Sequence, residues 1–129
     1  MKTLLLILSL LLITTNAYAE WTFYGENGDN SVFFYDKSTL IRNGNKVKVW
    51  SYFNFSPNNE KAKSLNMFSA RMLEEIDCVN QTLKRLSVHS FTEPDLNGDM
   101  SNDTKSNPTI VYIAPDSINT TLMKLACKK

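Results

Sequence analysis

The sequence predicts an α+β fold: an antiparallel sheet of about five to six strands, a C-terminal helix packed on it, and one disulfide pinning the two. Short aromatic and β-branched runs recur along the chain, each ended by a cluster of turn formers such as Gly25-Glu26-Asn27-Gly28. Asn43-Gly44, a dipeptide that tolerates the positive φ of tight hairpin turns, precedes a long alternating run. Helical spacing of apolar residues, by contrast, is clear only after Pro115.

Taken in order, Trp21 to Tyr24 reads as a first strand and Gly25 to Asn30 as the loop that stops it. Ser31 to Asp36 is a second short apolar run, and Asp36 to Thr39 offers side-chain oxygens that suit a turn better than a strand. Leu40-Ile41 and the run from Lys46 to Phe55 flank the Asn43-Gly44 hairpin. In that run Val47, Val49, Phe53 and Phe55 fall on one face, and Lys46, Lys48, Trp50, Tyr52 and Asn54 on the other. Ser56 to Lys63 reads as a polar loop. Met72, Glu74 and Ile76 alternate with Leu73, Glu75 and Asp77, which favours a strand into Cys78. A turn near Val79 to Gln81 leads to a partner strand, Leu83 to Phe91, in which Leu86 and Val88 oppose Arg85, Ser87 and His89. Thr92 to Asn107 is polar and turn-rich and reads as an exposed loop. Thr109 to Ala114, between Pro108 and Pro115, is the last strand. Asp116 or Ser117 fits the N-cap of a helix whose Ile118, Leu122, Leu125 and Ala126 share a face. Cys127 falls nearly opposite Ile118 on an ideal helix, so either the last turn loosens or the disulfide sits at the sheet edge.

The chain has 129 residues, of which 43% are apolar and 21% charged, with four Gly and four Pro. Such a composition excludes collagen-like, low-complexity and wholly disordered chains and suits a single core. Met1-Lys2-Thr3, the uncharged run Leu4 to Ile13 and the small-residue end Ala17-Tyr18-Ala19 read as a Sec signal peptide, residues 1–19, cleaved before Glu20. The apolar run is well short of the roughly 20 residues a spanning helix needs, so no stable membrane anchor is expected. Cleavage removes Lys2 and no acid, taking the formal charge from +1 to zero. No nucleic-acid partner is expected of a neutral, exported chain. Cys78 and Cys127, an even pair in an exported chain, read as one disulfide within a single domain over 20–129.

The basic and aromatic residues Lys46, Lys48, Trp50 and Tyr52 interleave on one strand face, and Lys61, Lys63, Arg71, Lys84 and Arg85 extend the patch if their strands adjoin. Such a surface suits a protein or polysaccharide ligand outside the cytoplasm. Asp95 to Asp103 has oxygen ligands at alternate positions, but Met100 stands where an EF-type loop needs its turn glycine, so no metal or other cofactor is expected. His89 lies near Ser87 and Ser90, yet no Gly-x-Ser-x-Gly turn is present and no catalytic residues are assigned. Glu74 and Glu75, adjacent on a strand, point to opposite faces and cannot flank one bond.

The ordered landmarks Trp21, Phe34-Tyr35-Asp36, Val47, Val49-Trp50, Asp77-Cys78, Ile113-Ala114-Pro115-Asp116-Ser117 and Cys127 resemble those of the surface-adhesin protein E family, small exported bacterial proteins. The resemblance covers nearly all of residues 20–129, and its motifs are framework rather than catalytic. It implies an antiparallel sheet with a packed helix, a Cys78 to Cys127 bond, and non-enzymatic binding of host extracellular-matrix or serum proteins. The family's adhesin is lipid-anchored, whereas Glu20 follows the cleavage site here and offers no thiol to acylate. The expectation is therefore an adhesin-like binding protein that is periplasmic, secreted or surface-associated. The competing expectation is a periplasmic structural or accessory envelope protein with no host ligand. Aromatic-rich edge strands would also suit a homodimer.

Overall fold

The computed structural model describes residues 19–128, so the predicted signal peptide lies outside the described residues except for Ala19. Eight strands form one antiparallel sheet: β1 (Trp21–Glu26), β2 (Val32–Asp36), β3 (Ile41–Asn43), β4 (Lys46–Asn54), β5 (Ser69–Asp77), β6 (Thr82–Phe91), β7 (Met100–Asn102) and β8 (Ile110–Tyr112). The main path runs β1-β2-β4-β5-β6-β7, with the short β3 paired to β4 and β8 to β6. Six strands on the path match the expected number; the added pairs are three-residue ribbons at strand ends. Helix α1 (Glu60–Leu65) links β4 to β5, and α2 (Ile118–Ala126) ends the chain.

Strict alternation makes the central strands. In β4, Val47, Val49 and Ser51 are buried while Lys46 and Lys48 are exposed. In β5 the buried positions are Ser69, Ala70, Met72, Glu74 and Ile76. The antiparallel register sets Val47 against Ile76 and Val49 against Glu74, so one face of the sheet carries the apolar set. Helix α2 packs there, with Leu122 and Ala126 buried against Tyr24, Tyr35, Val49, Ile76, Leu83 and Ile113. Ser117 is the N-cap, accepting a hydrogen bond from the Thr120 amide. Leu125, expected on the buried face, is exposed. Gly25 lets α2 approach β1, because a Cβ there would collide with Ile118.

Two segments depart from expectation. Within the polar stretch 56–63, residues from Glu60 onward form α1, because Asn59 caps it by accepting from the Ala62 amide and Ala62 is fully buried. Within 92–107, expected to be loop, Met100–Asn102 pairs with His89–Phe91 as β7; the gain is backbone hydrogen bonding alone, since all three side chains are exposed. The disulfide joins Cys78 and Cys127, whose Cα atoms are 5.8 Å apart. Cys127 is the C-cap of α2, with helical backbone angles and its N–H on the Met123 carbonyl, and its sulfur meets Cys78 just past the end of β5.

The bridge closes 49 positions of chain. Replacing both cysteines by serine should lower unfolding free energy by about 4 kcal/mol through the entropy returned to the unfolded chain, measured by denaturant titration.

Candidate functional site

The two sheet faces differ in chemistry. On the face away from α2, Tyr52 stacks on Phe34 with ring centroids 4.7 Å apart, and Trp21 meets Tyr52 edge-on at 4.7 Å. Phe23 meets Phe34 edge-on at 6.1 Å and is 56% exposed at the outer strand. Next to them, the Arg71 guanidinium lies 5.7 Å from the ring centres of both Trp50 and Phe91. The turn at Pro94–Leu96 folds onto one end of this face, held by a mutual pair of hydrogen bonds between Asn54 and Asp95 and by Ser69 Oγ, which donates to the Glu93 carbonyl.

Of the residues singled out by sequence, Lys46, Lys48, Trp50 and Tyr52 do share this face, as the period of two demands. Tyr52, however, is only 7% exposed beneath its aromatic neighbours, and burial, with the Asp95 charge, pushes its phenol up. The accessible aromatics are Trp50 and, from other strands, Phe23, Phe34 and Trp21, whose grouping depends on strand pairing. The lysines are also less free than expected: Lys46 Nζ lies 4.0 Å from the Glu75 carboxylate, and Lys48 pairs across the ladder with Glu75. Asp77, opposite Lys46, is held below the usual carboxylate range first by the Asn80 amide, and it accepts from the Val79 amide as well.

Arg85 does not join them. β6 carries a bulge, in which Leu73 pairs with Ser87 but Glu74 with Arg85, so one extra residue, Leu86, is inserted. Arg85 and Val88 consequently both line the α2-bearing face, while Ser87 and His89 lie across from Leu73 and Arg71 on the other. His89 Nδ1 is 3.5 Å from Ser87 Oγ; Ser90 is on the opposite face, where it donates to Asp103.

On that α2-bearing face a cleft of about 480 Å³ opens beyond the helix. Phe33 and Phe53, stacked at 5.4 Å, line it together with Met72, Val88, Leu65 and Met67. Glu74 also lines it, 1% exposed, with Oε1 accepting from Ser51 Oγ at 2.5 Å and Oε2 without a partner among the described residues. Burial pushes the Glu74 carboxyl above its ordinary value, against the Ser51 hydrogen bond and the Arg85 charge.

The family model for surface-adhesin protein E matches residues 21–128. The chain belongs to the surface-adhesin protein E family. Solved structures of Haemophilus influenzae protein E share its fold. The second crystal form aligns with a TM-score of 0.62 at 14% identity, covering 88% of this chain and 91% of that one. The selenomethionine form gives 0.61 at 14% identity over 88% and 89%, and the protein from a non-typeable strain 0.56 at 12% over 87% and 78%. Among curated proteins none matches the sequence. At these identities the likeness concerns backbone architecture.

The raised Glu74 carboxyl sets a pH dependence of stability. A group whose folded pKa exceeds its unfolded one favours the folded state when protonated. Its contribution is full below about 4.5, the ordinary value, and is lost as pH rises through the folded value. Relative to Glu74→Gln, which cannot ionise, the native protein should therefore lose stability as pH climbs from about 4.5 through the folded value, and level off above it. Melting temperatures of both proteins from pH 4 to 8 check this; a constant difference would contradict it.

Proposed function

We propose that this family member is an exported, non-enzymatic, adhesin-like binding protein whose contact surface is the open sheet face bearing Lys46, Lys48, Trp50 and Phe23. The observation that carries the reading is the continuous aromatic array on the face that α2 leaves free. Large aromatic side chains around a cation-stacked arginine are the chemistry of protein interface cores, where Trp, Tyr and Arg supply most of the binding energy. Family membership supports binding outside the cytoplasm, and the signal-like start supports export.

The charge pattern narrows the ligand. Lys46 and Lys48 share their face with Glu75 and Asp77, so the field of the patch is mixed rather than strongly positive. A mixed field around an aromatic centre favours a polypeptide partner over a sulfated polysaccharide, which would need uncompensated cations. Tyr52 supports the array from beneath, and Arg85, on the other face, takes no part in this contact. The same exposed aromatics would serve a homodimer, and a self-association test accompanies the ligand screen.

Two measurements check this reading. Fractionation of producing cells with intact-mass analysis should find protein beginning at Glu20 on the cell surface or in the medium; strict confinement to the periplasm would make a structural envelope role the better account. The double substitution Lys48→Glu with Trp50→Ala should leave the circular dichroism spectrum and melting temperature near native. It should weaken binding to immobilised matrix or serum proteins by about 30-fold or more, the loss typical of an aromatic hot spot. Undiminished binding would remove this face from consideration.

A further inference from the structure

We propose that the uncovered part of the α2-bearing face is a binding cleft for a small amphipathic amine, whose apolar body lies on Phe33, Phe53 and Met72 and whose ammonium group meets the free oxygen of Glu74. The cleft is on the opposite side of the sheet from the contact surface, so either reading can fail without the other.

Its size, about 480 Å³, falls inside the range of roughly 300–1,000 Å³ usual for small-molecule sites. Apolar side chains, aromatic and thioether ones among them, make up just over half of the lining, and polar and charged groups make up the rest, so the site can hold an apolar body and a polar head together. The decisive group is Glu74. A carboxylate oxygen that is buried and without a donor costs free energy unless a partner arrives to satisfy it. The nearby cation does not do so: among the described residues, no ion pair within 4.0 Å joins Arg85 to Glu74.

The charge around the cleft selects the ligand. Asp29, Asp103 and Glu74 line it against the single cation Arg85, so a carboxylate or phosphate head would enter a region of its own sign. A primary ammonium brings donors for Glu74 Oε2 and offsets the excess negative charge. A neutral alcohol offers one donor and no charge. Residues of the first turn of α2, Ile118 and Asn119, also line the cleft, so its volume is limited and suits a free small molecule rather than a folded partner.

The test uses the mature, oxidised, isotope-labelled protein and three probes of matched size: phenethylamine, 3-phenylpropionate and 2-phenylethanol. Amide chemical shifts are followed by NMR. Phenethylamine should give saturable shifts centred on Phe53, Met72 and Glu74, with 3-phenylpropionate binding at least about tenfold more weakly, the worth of one charge-assisted hydrogen bond. Glu74→Gln keeps the shape and removes the charge, and should weaken phenethylamine by a similar factor while leaving 2-phenylethanol unchanged. Equal binding of all three probes by the native protein, no saturable shift in the cleft, shifts centred on Trp50, or full amine affinity in Glu74→Gln would each overturn the proposal. The native-protein probe series decides the matter even if the variant folds poorly.

Discussion

The tie between Cys78 and Cys127 determines which part of the sheet receives the helix, and much else follows from that. Cys78 directly follows β5, and Cys127 caps the last turn of α2, so the bond anchors the helix C-terminus at one end of the central strands. From there α2 extends only nine residues, about 14 Å of helix at 1.5 Å per residue, to Ile118 against Gly25 of β1, whereas β4 and β6 are nine and ten residues long. Strands of that length span about 30 Å. One helix therefore covers only part of one face. The part it covers is the dry core of Val47, Val49, Ile76, Leu83 and Leu122; next to it, where the helix does not reach, lies the cleft.

Burial of Glu74 belongs to the same arrangement. The residue stands between Met72 and Ile76 on the core face, opposite Val49, where an aliphatic side chain would pack without desolvation cost. Ser51 satisfies one oxygen, and among the described residues nothing satisfies the other. Replacing a buried carboxyl by an apolar residue of similar volume is often stabilising. A carboxyl at that position, at the edge of an open cleft, fits the ammonium-binding role proposed for it better than a packing role.

Much of this architecture is legible in the sequence, and the exceptions have physical causes. The alternation in β4 is readable because one face is dry, and the same period places Lys46, Lys48, Trp50 and Tyr52 together. The helix after Ser117 is readable from its cap and its spacing. β7 is not, because Met100–Asn102 contributes backbone pairing and no side-chain pattern. α1 is six residues long with only Ala62 buried, too little for an apolar period, and its signals are confined to its ends, Asn59 at the N-cap and the left-handed Asn66 at the C-cap. The burial of Tyr52 depends on Trp21 and Phe34, which come from strands whose neighbours cannot be ordered from one chain's pattern.

The bulge at Leu86 is the least legible feature and the one on which both candidate surfaces depend. One inserted residue changes neither composition nor local propensity, yet it inverts the facing of everything after it in the strand. With regular pairing from Arg85 onward, Ser87 and His89 would share Arg85's face, and Val88 would point to the aromatic side. The bulge instead returns Val88 to the cleft beside Met72 and leaves His89 next to Arg71. It gives the cleft an apolar wall beyond Arg85 and keeps a titratable ring out of it. An alternation count along β6 that assumes an unbroken period therefore assigns Arg85 to the wrong surface, and the aromatic face loses a cation that the cleft gains.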